Sequence, residues 1–304
     1  MTASLKPLKE QVIVITGASS GIGLATAQEA AACGAKVVLA ARSAETLEAI
    51  VAEITSRGGE AVAVAADVSN RTEVERIAQV ALERFGRIDT WINNAGVGIY
   101  GRVDEISEKD NRRLFDINFW GVVNGSLVAL PFLRASGGAL INVGSEVSEA
   151  VVPLQGMYAA SKHAIKGFTD ALRVEVEHVD QANVSITLVQ PTAVNTPWPQ
   201  HAKNYMAQEP KLPTPQIDPG QVAEAILSAA ASPTRDVKVG AMATLNTAMA
   251  KFMPALGDRM SAKQVDRQQY EEPPRDPDGT LYVPGQSGRT HGSGGMDGQA
   301  LPRG

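Results

Sequence analysis

A chain of 304 residues, 44% of them apolar, can bury one large core or two modest ones without cross-links. Its 28 Lys and Arg against 33 Asp and Glu leave a net charge of −5, which argues against a general nucleic-acid or polyanion binder. The single cysteine, Cys33, excludes an internal disulfide, makes a reducing, cytoplasmic setting the plain expectation, and reads as a small buried filler. The first ten residues are polar with Pro7, and no run of eighteen uncharged apolar residues exists, so neither a leader nor a membrane span is expected.

The first predicted element is the β-branched run 11–16, a buried strand. It runs through Thr16-Gly17-Ala18-Ser19-Ser20-Gly21-Ile22-Gly23 into a helix over 22–33. Glycines between a strand and a helix N-terminus allow a tight turn, and the first-turn N–H groups then face an anion such as a pyrophosphate. The spacing is G-x-x-x-G-x-G, and no Lys-Ser/Thr follows, so the loop is not a P-loop.

Further strands are predicted at 36–41, 61–66, 88–93, 139–144, 184–190 and 236–239, and helices at 44–57, 70–85, 110–133, 157–181 and 218–231. This alternation predicts parallel strands joined by helical crossovers, with the functional crevice beyond the carboxyl ends of the strands. The second strand ends in Ala41-Arg42, without the acid that would accept ribose hydroxyls. An Arg there suits a 2′-phosphate, or else only borders the adenine edge. Asp67, followed by Val68, is placed to bond an adenine amino group or to cap the next helix. At the fourth strand end stand Asn93, Asn94, Ala95 and Gly96: an Asn can tie strand ends together, and the small residues leave room for a ribose. Asn118 lies mid-helix among Phe115, Ile117, Phe119 and Trp120, and needs a partner, either as a core amide or as the holder of a water leading to Lys162.

Ser145 follows the fifth strand, and Tyr158 and Lys162 stand one helical turn apart. An ammonium beside a phenol favours phenolate, so the spacing predicts a lowered phenol pKa and an acid/base group for a carbonyl–alcohol pair. A hydroxyl at position 145 can place a donor against developing negative charge.

In these motifs the chain resembles the short-chain dehydrogenase/reductase family over roughly residues 8–240. The resemblance implies an α/β, three-layer Rossmann-type fold with a mainly parallel seven-stranded sheet, ordered 3-2-1-4-5-6-7. It implies Tyr158 as acid/base, Lys162 as its electrostatic partner and ribose ligand, Ser145 on the substrate oxygen and Asn118 on a relay water. It places the cofactor against Gly17, Ser19, Ser20, Gly21, Ile22, Gly23, Arg42, Asp67, Val68, Asn94, Ala95, Gly96, Pro191, Val194 and Thr196, with no metal. NADP(H) is expected ahead of NAD(H), and a homodimer or homotetramer is expected through helices 110–133 and 157–181. The alternatives are an NAD(H)-linked alcohol dehydrogenase and a non-catalytic dinucleotide-binding protein. Two departures stand out: Thr192 follows Pro191 where the family usually has Gly, and Ser20 replaces a base common in NADP-preferring members.

The segment 195–216, with Trp198, His201, Tyr205 and Met206, is expected to form a lid over a mixed apolar small-molecule substrate. Glu146, Glu149 and residues 151–155 form the facing wall. Residues 241–270 read as a helical extension, its Met, Leu and Phe stripe over 241–260 packed on the pocket or on a partner subunit. From 271 to 304 the composition predicts an extended or partly disordered tail, anchored by the apolar island Leu281-Tyr282-Val283-Pro284.

Overall fold

The computed structural model describes residues 3–285 and 288–292. The strands are Val12–Thr16 (β1), Lys36–Ala41 (β2), Glu60–Ala65 (β3), Thr90–Asn93 (β4), Ile99–Tyr100 (β5), Gly138–Val143 (β6), Val184–Pro191 (β7), Lys203–Asn204 (β8) and Asp236–Val239 (β9). The helices are Gly21–Ala32 (α1), Ala44–Ser56 (α2), Arg71–Phe85 (α3), Glu108–Phe115 (α4), Gly121–Ser136 (α5), Gly156–Arg173 (α6), Trp198–His201 (α7), Pro219–Ala231 (α8), Ala241–Phe252 (α9) and Pro254–Ala262 (α10). Seven strands pair in parallel in the order β3-β2-β1-β4-β6-β7-β9, and β5 with β8 forms a separate two-stranded ribbon. With the ribbon set aside, this is the 3-2-1-4-5-6-7 order expected of a Rossmann-type α/β fold.

Alternation along each strand builds a core on either face of the sheet. Val12, Val14, Val38 and Leu140 join the side covered by α3 and α5. Ile13, Ile15, Leu39 and Ile141 join the side covered by α1, α2 and α8. Every residue of β1, β4, β6 and β7 is buried, as a sheet covered on both faces requires. Local chemistry sets the helix ends. Asn70 accepts from Thr72 N–H at the start of α3, Gly86 ends that helix at φ 79°, and Asp218 caps α8 ahead of Pro219.

Three expectations change. The two long helices each contain a π-helical turn, Asp116–Trp120 between α4 and α5 and Val174–Val179 after α6. Cys33 is exposed at the end of α1, not buried. The apolar stripe of the extension does not pack on its own chain. Pro254, which lacks an N–H, opens a second helix after Met253, and Leu245, Phe252, Met253, Leu256 and Met260 face outward. The buried positions of α9 are Ala243 and Thr247. Beyond α10, the described part of the tail is extended and returns across the carboxyl end of the sheet, with Leu281 fully buried. The remainder of the 271–304 expectation, at 286–287 and 293–304, lies outside the described residues.

Candidate active site

The loop from β1 to α1 turns through Gly17 at φ 69° and Gly21 at φ 54°, a region that L side chains rarely adopt. A Cβ on Gly17 would lie 2.7 Å from the Ala95 Cα, and one on Gly23 would lie 2.2 Å from the Gly17 carbonyl oxygen. The loop is therefore pressed against the end of β4. Thr16 Oγ1 accepts from the N–H groups of Asn94 (3.1 Å) and Ala95 (3.2 Å), and Asn94 Nδ2 donates to the Thr16 carbonyl at 3.0 Å. Asn93 ties β4 to β6, its Nδ2 donating to Asn142 Oδ1 at 2.9 Å. Bare backbone at a helix N-terminus, with no side chain in the way, is what a dinucleotide pyrophosphate needs. The residues present fit such a cofactor.

One cavity runs from this loop to Tyr158. It is lined by Gly17, Ser19, Ser20, Gly21, Ile22, Arg42, Asp67, Val68, Asn94, Ala95, Gly96, Ser145, Tyr158, Lys162, Pro191, Val194 and Thr196. Of the catalytic and cofactor residues expected from the sequence, only Gly23 and Asn118 are not part of its lining.

At the Arg42 end, the Asp67 carboxylate accepts from Ser69 N–H at 2.9 Å and from Arg113, whose other arm donates to Ser69 Oγ at 2.7 Å. These bonds hold the carboxyl below its ordinary range against the opposing effect of burial. Arg42 donates to the carbonyls of Thr280 and, at 3.3 Å, Leu281. The Gly21 N–H donates to the Arg289 carbonyl at 2.9 Å. The returning tail thus forms a strap along the groove, and Thr280, Pro284 and Gly285 line the cavity. The island at 281–284 was the sequence signal for this anchor. Arg113 carried none, because its partners come from β3's far end and from the tail.

At the other end, Ser145 opens a turn in which its Oγ accepts from Val147 N–H at 3.3 Å and its own N–H donates to Ser148 Oγ at 3.2 Å. Lys162 is buried and donates to the Val143 carbonyl at 2.9 Å, with Nζ 5.7 Å from the Tyr158 ring centre. Burial lowers the Lys162 pKa to about 8. Tyr158 runs opposite to the expectation: burial raises its phenol, the contact with the Ser145 hydroxyl opposes that rise, and the Glu146 carboxylate adds to it. Four-residue spacing predicted only the charge effect; desolvation of both groups outweighs it. The Trp198 ring of the lid sits 4.9 Å from the Tyr158 ring, centre to centre.

Asn118 sits in the first π-helical turn. Its Nδ2 donates to the Val97 carbonyl (3.0 Å) and Ser161 Oγ (3.1 Å), and its Oδ1 accepts from Val97 N–H at 2.8 Å. The side chain is a satisfied core amide. A second tyrosine–lysine pair, Tyr205 and Lys203, lies off the cavity lining. The Tyr205 hydroxyl donates to Asp110 at 2.6 Å and accepts from Ser107 N–H at 3.2 Å.

Comparison with known proteins agrees with this geometry. Residues 11–206 match the family model for short chain dehydrogenase. A Bacillus subtilis protein, uncharacterized oxidoreductase YxnA, is 44% identical over 92% of this chain and 80% of its own length. A Burkholderia phymatum short chain dehydrogenase/reductase in complex with NAD is 27% identical with a TM-score of 0.70, covering 90% of this chain and 100% of that one. An alcohol dehydrogenase from the archaeon Thermococcus sibiricus, complexed with 5-hydroxy-NADP, is 31% identical with a TM-score of 0.65, covering 75% and 94%. The chain belongs to the short-chain dehydrogenase/reductase family. It is an oxidoreductase of CH–OH and C=O groups that uses a nicotinamide dinucleotide, NAD or NADP.

Proposed function

We propose that this protein is an NADP(H)-dependent enzyme interconverting a ketone or aldehyde and an alcohol, with Tyr158 as acid/base. The observation that carries the reading is a single cavity joining the glycine loop to Ser145, Tyr158 and Lys162. When bound, the nicotinamide supplies or takes the hydride. The raised phenol pKa keeps Tyr158 protonated at neutral pH, ready to donate to a carbonyl oxygen as negative charge develops there. Val147 N–H occupies one lone pair of Ser145 Oγ, which leaves the hydroxyl proton to stabilise that oxygen. Lys162, fixed by the Val143 carbonyl, supplies the field that eases proton loss and gain at Tyr158 and stands where a ribose hydroxyl can reach it. Asn118 acts as a positioning residue that shapes the wall between Val97 and Ser161.

Two guanidinium groups, Arg42 and Arg113, beside the expected adenine-binding Asp67 support NADP(H) by offering planar donor groups at the adenosine end. The tail carbonyls on Arg42 favour the NAD(H) reading, because they engage donors that a 2′-phosphate would use. Titration of the protein with NADPH and NADH separates the two, and tighter NADH binding would end the NADP(H) assignment. Exposed Trp120, Leu127, Val174 and Val179, on the helices and turns of the 110–133 and 157–181 regions, support a homodimer or homotetramer in a reducing cytoplasm. Among the described residues no helix is long and apolar enough to cross a membrane.

Tyr158→Phe tests the mechanism. It keeps the ring against Trp198 and removes only the transferable proton. We expect the hydride step, followed by stopped-flow nicotinamide absorbance, to fall by at least about a hundredfold while dinucleotide affinity changes little. Native-like rates in this variant would refute the assignment.

A further inference from the structure

Two features of the chain remain outside this mechanism: Thr192 in place of a glycine after Pro191, and the helical extension beyond residue 240. Both meet at one side chain. Glu146 Oε2 accepts from Thr192 Oγ1 at 3.1 Å and from Asn246 Nδ2, on α9, at 2.9 Å. Glu146 directly follows Ser145, is only 9% exposed and lines the catalytic cavity. Its other oxygen, Oε1, takes no hydrogen bond from the described residues.

A carboxylate is a costly way to join a loop to a helix. Its two donors are neutral, no cation pairs with it among the described residues, and burial raises its pKa. A glutamine or threonine would satisfy Thr192 and Asn246 without burying a charge. What the carboxylate adds is a strong acceptor held in a fixed orientation beside the reacting groups. The same cavity is lined by the apolar side chains of Val147, Val152, Trp198 and Leu212 as well as by Gln155 and Thr192.

We propose that Glu146 is a specificity-determining residue whose Oε1 accepts a hydrogen bond from a substrate hydroxyl next to the reacting carbon, so that the substrate is an apolar-bodied α-hydroxy ketone or the corresponding vicinal diol. The inference rests on the reductase reading above. In the reduction the carbonyl carbon takes a hydride from the reduced nicotinamide and its oxygen takes the Tyr158 proton. The products are a vicinal diol and the oxidised nicotinamide, and Tyr158 regains a proton from solvent. The recognised hydroxyl is unchanged. Thr192 and Asn246 are positioning residues: they hold Oε2 and thereby aim Oε1.

The test is a matched pair, 2-hydroxyacetophenone and acetophenone, with the ratio of their kcat/KM values as the readout. A hydrogen bond to a charged acceptor predicts a native preference for the hydroxy ketone of about tenfold or more. Glu146→Gln keeps the volume but presents an amide, and we expect it to lower that ratio at least about fivefold. Asn246→Ala keeps the charge but frees Oε2, so we expect it to lower the ratio less than Glu146→Gln does, whereas a merely structural role for Glu146 would lower kcat/KM for both ketones equally and leave the ratio unchanged. Quenching of tryptophan fluorescence by 1-phenylethane-1,2-diol against 1-phenylethanol gives the same comparison without turnover. A native ratio near one, or an undiminished ratio in Glu146→Gln, overturns the proposal and leaves the reductase reading standing. Should Glu146→Gln fail to fold, the native ratios still decide. A protein that binds NADPH but reduces no ketone or aldehyde overturns the reductase reading, which is a distinct result.

Discussion

Lys162 is the residue at which stability and chemistry oppose one another most directly. Its pKa is about 8 in the fold against an ordinary 10.5, so the folded state disfavours its charge. Below pH 8 the ammonium is present in both folded and unfolded chains and the whole penalty is felt. Between pH 8 and 10.5 the folded form is neutral while the unfolded form still binds a proton, so stability rises with pH through that window. A shift of this size corresponds to about 3 kcal/mol. Lys162→Met removes the penalty but also the bond to the Val143 carbonyl, worth about 1 kcal/mol. We therefore expect the variant, free of cofactor, to be about 2 kcal/mol more stable than the parent at pH 7, with the gain shrinking toward pH 10, and to be inactive. Denaturant unfolding at the two pH values measures this. No gain at pH 7 would mean that the ammonium is not desolvated as the geometry indicates. The sequence placed Tyr158 and Lys162 correctly on one helix face, but four-residue spacing carries no information about what covers them. Their burial depends on Trp198 and on the post-β7 loop, both distant in the chain.

At the scale of elements, the seven strands of the main sheet were legible almost to the residue, because continuous apolar runs leave few other readings, whereas the two-residue strands β5 and β8 were not foreseen. The π-helical turns were not. Their side-chain pattern is still that of a helix, and the extra residue is accommodated only through tertiary contacts such as Asn118 with Val97. The extension was read as one helix although Pro254 was in plain view; of the two places expected for its apolar stripe, the pocket is not lined by it, and the outward face leaves the partner subunit. The β1–α1 unit offers the sharpest test of a local reading. Gly23→Ala would put a methyl 2.2 Å from the Gly17 carbonyl oxygen and 2.5 Å from Asn94 Nδ2, so loop and β4 must separate. Overpacking of this kind costs about 1–3 kcal/mol. We expect a melting temperature lowered by several degrees and dinucleotide affinity reduced at least about tenfold, read by calorimetry. An unchanged affinity would show that this loop is not the pyrophosphate site.

For the whole molecule, an anchored tail was expected from the island at 281–284, but its course along the cofactor groove was not. Composition marked the tail as poor in core formers, yet Leu281 is fully buried, the carbonyls of Thr280 and Leu281 bond Arg42, and that of Arg289 bonds the glycine loop. Apart from Leu281 the side chains that dock the tail, such as Tyr282 and Asp278, are polar and meet partners distant in sequence, so hydropathy had little to register. Ending the chain after Tyr270 removes these contacts while leaving the sheet and its helices. We expect the truncated protein to fold, with dinucleotide release accelerated about tenfold, because the wall at Thr280, Pro284 and Gly285 is gone. Release can be followed by displacement of bound NADPH fluorescence. Slower release or tighter binding in the truncated form would mean that the strap competes with the cofactor instead of walling it in.

The strap also sets an order in time. Arg42 and Leu281 are partners across 239 residues of sequence. At translation rates of about 5–20 residues per second, the ribosome makes Arg42 roughly 10 to 50 s before the carbonyl that will hold it. From the moment Thr196 is added until the tail follows, the growing chain holds the lining of its nucleotide groove but not the cover. The carbonyls of that cover are laid down only once Leu281 has been added and has cleared the ribosome, so closure of the groove follows assembly of the sheet.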